Sequence, residues 1–195
     1  MQVAVVKYNA GNIYSVMNAL RRLGVETMLT DDAKLLREAD RVLFPGQGEA
    51  SGAMTYLHER GLDEVIRSLS QPVLGICIGQ QLLCKHSEEG DTDCLGIFNV
   101  DVKRFTPTSH KEKVPCMGWN NLYNTSTPLL KGLEQQYAYF VHSFYVPLCQ
   151  ETIATADYIQ PYSAALHKDN FYATQFHPEK SGSVGELIIR NFLEL

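Results

Sequence analysis

The fold is decided by one stretch that joins an apolar run to a helical one: Pro72-Val73-Leu74-Gly75-Ile76-Cys77-Ile78-Gly79-Gln80-Gln81. The apolar run predicts a buried strand, and the residues from Ile78 to about Lys85 predict a helix. Cys77 would then lie on a tight turn, with Gly75 and Gly79 giving the room that such a turn requires, as in a nucleophile elbow. Because a helix start favours a thiolate over a thiol, Cys77 is a candidate nucleophile; the alternative is a buried structural cysteine.

The composition indicates one globular domain over residues 1–195, since 45% of the 195 residues are hydrophobic. The 17 Lys and Arg residues against 22 Asp and Glu residues give a net charge of −5, which argues against a nucleic-acid partner. There is no apolar run of membrane-spanning length, and the first residues pass straight into a strand pattern, so we expect neither a signal peptide nor a membrane span. The five cysteines form no C-x-x-C pair, which disfavours disulfides and zinc and indicates a reducing cytoplasm.

The pattern of elements changes near Cys94. Before it, apolar runs alternate with helical spacings, which predicts an α/β fold with a mainly parallel central sheet flanked by helices. After it, the runs are mostly strand-like, which predicts additional antiparallel strands, with one helix closing the chain. We expect strands at 3–8, 25–29, 41–44, 72–76, 95–105, 114–122, 137–145, 152–156, 164–168 and 171–175, and helices at 13–23, up to 39, 50–60, 62–70 and 78–85.

A second chemical signal is His177-Pro178-Glu179. Pro178 favours an extended backbone at His177, and residues two apart in an extended chain project to the same side. A thiol nucleophile needs a base, and the base gains from a carboxylate that orients it, so His177 and Glu179 are candidates for these roles. His142 lies in a predicted strand and could face the core or a cleft, whereas the remaining histidines are given no role.

A third signal is Pro45-Gly46-Gln47-Gly48, which follows a predicted strand. The two glycines allow the backbone to turn its N–H groups towards a ligand. An oxyanion formed by attack on an amide could accept from one of these groups and from the N–H of Ile78. The simpler alternative is an ordinary turn between a strand and a helix.

Together the three signals resemble the class I glutamine amidotransferases, over essentially the whole chain. That family has an oxyanion loop, a G-x-C-x-G-x-Q elbow and a His-Pro-Glu about a hundred residues on; here 100 residues separate Cys77 from His177. The resemblance implies a flavodoxin-like fold, no cofactor and no metal. It makes Cys77 the nucleophile, His177 the base and acid, and Glu179 the orienting carboxylate. Binding of the substrate glutamine is implied for three residues: Gln81, Ser143 and Phe144.

Other stretches resemble one branch of that family, namely 8–16, 118–120, 139–143 and 175–182. In this branch the glutaminase forms a heterodimer with a (β/α)8-barrel cyclase subunit, which uses the ammonia to make imidazole glycerol phosphate in histidine biosynthesis. The resemblance implies that Asn12, Trp119 and Lys180 face that partner. Two positions depart from the family pattern: Lys7 replaces a usual Asp, and Gln47 replaces a small apolar residue.

Three other interpretations remain at this point. The chain could be a free-standing cysteine hydrolase with the same elbow, against which Gln81 and the Gly118-Trp119-Asn120 stretch argue. It could be a glutaminase that serves another synthase, such as those for pyridoxal phosphate or anthranilate. It could also be a catalytically silent interaction subunit, which the intact set of Cys77, His177 and Glu179 disfavours.

Overall fold

The computed structural model describes residues 1–125 and 127–195. In the first part of the chain, strands and helices alternate as predicted. The strands are β1 (Val3–Val6), β2 (Thr27–Thr30), β3 (Arg41–Gly46) and β4 (Val73–Cys77). The helices are α1 (Ile13–Arg22), α2 (Ala33–Glu38), α3 (Ala50–Glu59), α4 (Leu62–Arg67) and α5 (Ile78–Leu83).

The second part of the chain consists mostly of strands. These are β5 (His86–Ser87), β6 (Thr92–Asp93), β7 (Asp101–Arg104), β8 (Cys116–Asn121), β9 (Tyr137–His142), β10 (Phe144–Tyr145), β11 (Thr152–Tyr158), β12 (Gln160–Lys168) and β13 (Phe171–Thr174). Short 3₁₀ turns occur at Pro128–Leu130 and Pro178–Lys180, and α6 (Gly182–Glu194) closes the chain. No helix in the described ranges is long and apolar enough to cross a membrane.

Seven strands form the central sheet, in the order β11-β12-β13-β4-β3-β1-β2. The five strands from β2 to β13 are parallel, while β12 and β11 are antiparallel, which confirms the predicted fold class. Counted along the parallel part, the order is 2-1-3-4-5, as in flavodoxin-like folds. In such sheets ligands bind at the carboxyl ends of the strands, near the point where the strand order reverses. Here the loops after β1, β3, β4 and β13 meet at that edge.

Both faces of the sheet are covered, as expected for parallel strands. The four residues of β1 alternate between the two sides: Val3 and Val5 belong to one core cluster, Ala4 and Val6 to the other, and none is exposed. Helices α1 and α6 lie on the first side with the β8–β9 hairpin, and α3, α4 and α5 lie on the second. The alternation follows from the two-residue period of a strand.

Two of the predicted strands are cut short or interrupted in the structure by contacts with other elements. Only Asp101–Arg104 of the predicted strand 95–105 is a strand, because N–H groups before it cap the end of α5: Leu95 donates to Leu82, and Ile97 and Phe98 to Leu83. The predicted strand 137–145 is interrupted at Ser143, since β9 pairs with β8 whereas β10 pairs with β7. The two-residue strands β5 and β6 were not predicted.

Candidate active site

Cys77 ends β4 in a conformation that residues with a side chain rarely adopt, with φ 56° and ψ −108°. A Cβ on Gly79 would lie 1.8 Å from the carbonyl oxygen of Phe44, and a Cβ on Gly75 would lie 2.9 Å from the carbonyl carbon of Gly79. The backbone therefore requires glycine on both sides of the elbow. Only 7% of Cys77 is exposed, so its sulfur is largely shielded from water.

His177 and Glu179 follow β13, the strand that pairs with β4 on one side. The backbone is extended at His177, as predicted, but it then enters the 3₁₀ turn Pro178–Lys180, so the prediction that the extended chain continues to Glu179 is wrong. The turn nevertheless brings Glu179 Oε1 within 2.8 Å of His177 Nδ1. A carboxylate can only accept, so Nδ1 carries the hydrogen and Nε2 is the atom left for proton transfer.

The surroundings of His177 favour its protonated form. Burial alone would lower its pKa, but interactions with Cys77 and Glu179 outweigh burial and raise the pKa to about 9. Its Nε2 is buried and makes no well-aligned hydrogen bond with the described residues. The imidazole and the Cys77 sulfur thus interact without a fully formed hydrogen bond, which is common in catalytic sites without substrate.

The predicted oxyanion loop begins at Gly46, the last residue of β3, and Gly46 pairs with Cys77 across the sheet. The N–H of Gln47 donates to the carbonyl of Gly11 over 3.1 Å, and the N–H of Gly11 donates back to Gln47 over 2.8 Å. In this conformation the Gln47 N–H is therefore not available to an oxyanion. Ile78 begins α5, where N–H groups have no partner within the helix.

A cavity of about 350 Å³ opens in front of Cys77, and Gln81, Ser143 and Phe144 line it together with Gln47, Gly48 and Ile78. Its volume is in the range of sites for small molecules. The Nε2 of Gln81 donates to the carbonyl of Phe144 over 3.1 Å and to Gln175 Oε1 over 2.9 Å. These two bonds leave Gln81 Oε1 as the atom that can accept from a ligand.

Sequence reasoning missed Glu89, which also lines the cavity. Its Oε2 accepts the backbone N–H of Ala50 over 2.9 Å, and partial burial, aided by the charge of Glu49, raises its pKa. A carboxylate here suits the α-ammonium group of an amino acid. In the sequence Glu89 lies in a short acidic run after α5, which is typical of an exposed surface.

Asn12 was predicted to face a partner, and it also contacts the candidate triad. It adopts φ 65° and donates from Nδ2 to Glu179 Oε1 over 2.6 Å. Its neighbour Gly11 holds Gln47, so a single loop contacts both the carboxylate and the oxyanion loop. Only the folded chain reveals this, because 167 residues separate Asn12 from Glu179.

Trp119 and Lys180 are exposed, as a partner-facing role requires. Trp119 is 57% exposed and its ring lies edge-on against Tyr139, with 6.1 Å between ring centroids. In the β8–β9 hairpin the outward face carries Met117, Trp119 and Tyr137, whereas the inward-facing residues of β9 are buried. An exposed apolar face of this kind is typical of an interaction surface.

His142 lies on the inward face of this hairpin and lines the cavity. Its Nδ1 donates to the carbonyl of Phe144 over 2.7 Å, and burial lowers its pKa to about 4. It is therefore neutral near neutral pH.

Among the described residues no group of three or more His, Cys, Asp or Glu side chains could hold a metal ion. Lys7, one of the two unusual residues, is exposed and lies 3.8 Å from Asp31.

Comparison with known proteins finds relatives that agree with one another in family and in name. The family model "Glutamine amidotransferase class-I" matches residues 4–195. The chain is 63% identical over 196 residues to a protein from Bacteroides thetaiotaomicron named imidazole glycerol phosphate synthase subunit HisH, with 100% of both chains covered. It is 62% identical to a protein of the same name from Bacteroides fragilis, again with 100% of both covered. A further one from Idiomarina loihiensis is 44% identical, with 100% of this chain and 98% of that protein covered.

Solved structures share the fold at lower identity. A structure described as a glutamine amidotransferase has a TM-score of 0.76 and 22% identity, and covers 98% of this chain and 97% of its own. A putative GMP synthase subunit from Thermoplasma acidophilum has a TM-score of 0.74 and 22% identity, with coverage of 100% and 92%. At this identity both show the fold alone.

Proposed function

The chain belongs to the class I glutamine amidotransferase family, and from this premise we propose that it is the glutaminase subunit of imidazole glycerol phosphate synthase. It hydrolyses glutamine to glutamate and ammonia, and the ammonia passes to a separate cyclase subunit in histidine biosynthesis. The observation that carries the proposal is the end-to-end identity of 63% with a protein of that name. The cytoplasm suits the reaction, because all five cysteines are free.

The reaction begins with attack of the Cys77 thiolate on the side-chain amide carbonyl of glutamine. Substrate binding uses Gln81, whose Oε1 is the free acceptor, and Glu89, whose carboxylate pairs with the α-ammonium group. Ser143 and Phe144 form the cavity wall beside them. In this assignment the scissile amide lies between the sulfur and the oxyanion loop.

The developing oxyanion needs two N–H donors. Ile78 supplies one from the start of α5. The second comes from the loop 46–48 after the two hydrogen bonds between Gln47 and Gly11 break and the peptide turns. The isolated chain is therefore held in a form of low activity, and the active form requires a rearrangement of this loop.

His177 completes both halves of the reaction. As an imidazolium, held by Glu179, it gives its Nε2 proton to the departing ammonia and leaves a γ-glutamyl thioester on Cys77. It then takes a proton from the water that attacks this thioester. Cleavage of the C–S bond releases glutamate and restores the thiolate beside the protonated imidazole.

The partner is a (β/α)8-barrel cyclase subunit that docks on the outward face of the β8–β9 hairpin. Its products are imidazole glycerol phosphate and aminoimidazole carboxamide ribotide. Val141 lies on this face of the hairpin and also lines the cavity, so a partner here would cover the place where ammonia leaves. Trp119 is the apolar anchor, while Asn12 and Lys180 adjoin Glu179 and connect the interface to the triad.

The test combines this chain with the cyclase subunit and measures formation of imidazole glycerol phosphate from glutamine or from added ammonium salts. We expect Cys77→Ala to abolish the glutamine-dependent reaction and to leave the ammonium-dependent reaction intact. Loss of both activities would mean that Cys77 is structural. Absence of glutamine-dependent synthesis with the unmodified chain would contradict the proposed function itself.

A further inference from the structure

Gln175 is a buried side chain beside the reacting sulfur. It follows β13, has no exposed surface and is anchored by its backbone N–H, which donates to Ala164 over 2.8 Å. Its side-chain Nε2 lies 3.9 Å from Cys77 Sγ, within reach of a hydrogen bond to sulfur, and its Oε1 accepts from Gln81. The mechanism above gives this amide no role.

The direction of these hydrogen bonds follows from a backbone carbonyl. The carbonyl of Phe144 can only accept, so the amide nitrogen of Gln81 must point towards it. The same nitrogen lies 2.9 Å from Gln175, which must therefore present its oxygen to Gln81. That leaves the N–H group of Gln175 directed at the sulfur of Cys77. Turning the Gln175 amide over would place two donors against each other.

We propose that Gln175 is a further catalytic residue, whose side-chain N–H donates to the Cys77 sulfur and stabilises its thiolate. This rests on the proposed function, because it takes Cys77 as the nucleophile. The thiol form already has another contact, since it can donate to the carbonyl of Val141 over 3.9 Å. The N–H of Gln175 interacts more strongly with the anion than with the thiol, so this donor to sulfur favours the charged form.

The sulfur carries negative charge twice in one turnover, before the attack and again when it leaves the thioester. Cys77 as a residue is only 7% exposed, so little water is near it to solvate that charge. His177 gives up and regains its proton between these two points, whereas the amide of Gln175 does not titrate and stays a donor throughout. Gln81, which contacts both Gln175 and the substrate cavity, holds this donor in place.

The test measures the pH dependence of Cys77 alkylation by iodoacetamide in the full chain, resolved by mass spectrometry so that the other cysteines do not interfere. Gln175→Met keeps the length of the side chain and removes the donor. Loss of a hydrogen bond to a charged group should shift the midpoint of alkylation upwards by about 1 pH unit and lower kcat by about 10-fold, with a smaller change in KM.

Gln80→Met is the matched control, because Gln80 is equally buried and its amide bonds to the carbonyl of Ser163 rather than to the site. We expect its alkylation midpoint to equal that of the unmodified chain. Gln175→Glu is a second variant, which still accepts from Gln81 and should also shift the midpoint upwards. An unchanged midpoint in a folded Gln175 variant would overturn the inference, whereas an unmodified chain without glutaminase activity alongside its partner would overturn the proposed function.

Discussion

At the residue scale, two histidines beside the cavity are affected by their surroundings in opposite ways. Burial lowers the pKa of His142 to about 4. At His177, burial is outweighed by Cys77 and Glu179, and the pKa rises to about 9. An unfolded chain titrates both near pH 6.5. Between pH 4 and 6.5 the unfolded state therefore binds more protons at His142, and between 6.5 and 9 the folded state binds more at His177.

These shifts predict how the free energy of unfolding depends on pH. The contribution of His142 is lost as the pH falls from about 6.5 to 4, and that of His177 is lost as the pH rises from about 6.5 to 9, each by up to about 3 kcal/mol. His142→Asn keeps a donor for Phe144 and should make the free energy of unfolding less dependent on pH below about 6.5. His177→Asn keeps a donor for Glu179 and should make the free energy of unfolding less dependent on pH above about 6.5. Urea unfolding at a series of pH values measures the free energy of unfolding of both variants. A pH dependence equal to that of the unmodified chain would contradict the assignment.

At the scale of elements, the sequence predicts best where local chemistry alone fixes the structure. Helix α1 ends as expected, because the N–H of Gly24 donates to Arg21 and that of Val25 donates to Leu20, which completes a Schellman motif. The same capping uses Val25, so β2 begins at Thr27, later than predicted. The predicted strand 95–105 fails because its first residues bond to the end of α5, a contact that no local pattern indicates.

Substitution of Gly24 and of Gly52 by alanine should change the free energy of unfolding in opposite directions. Gly24 has φ 77° and open space where a Cβ would lie, so Gly24→Ala should cost about 1 kcal/mol of unfolding free energy through backbone strain alone. Gly52 lies inside α3, where a Cβ would meet no atom closer than 3.8 Å, so Gly52→Ala should stabilise by roughly 0.5–1 kcal/mol. Denaturant unfolding of both variants checks the signs, and a neutral Gly24→Ala would contradict the left-handed cap.

At the scale of the whole molecule, the sheet topology brings distant segments of the chain to one edge. The motifs that carry the family resemblance imply that Cys77, His177 and Glu179 lie in one site. They could not indicate Glu89 or Gln175, whose roles depend on which side chains line the cavity and which way an amide points. The sequence also could not indicate the conformation of the oxyanion loop, since that conformation depends on hydrogen bonds between Gln47 and Gly11 in the loop after β1.

That pairing leads to the last prediction, which concerns activation by the partner. The loop after β1 holds Gln47 through Gly11 and Glu179 through Asn12, and it adjoins the proposed interface. Docking that moves this loop would free the oxyanion loop and adjust the triad together. Because one oxyanion donor is worth about 100-fold or more in rate, we expect glutaminase turnover to rise at least about 100-fold when the cyclase partner and its ligand are added.

Hydrogen exchange at the Gln47 amide tests the physical cause separately from the rate. In the isolated chain this amide donates to Gly11 and should be protected; in the activated complex it should lose that partner and exchange faster when no glutamine is bound. The amide of Val5, in the fully buried strand β1, serves as the control and should not change. Equal turnover with and without the partner would refute activation. A large rise in turnover with unchanged hydrogen exchange at Gln47 would mean that the activation does not arise from the oxyanion loop.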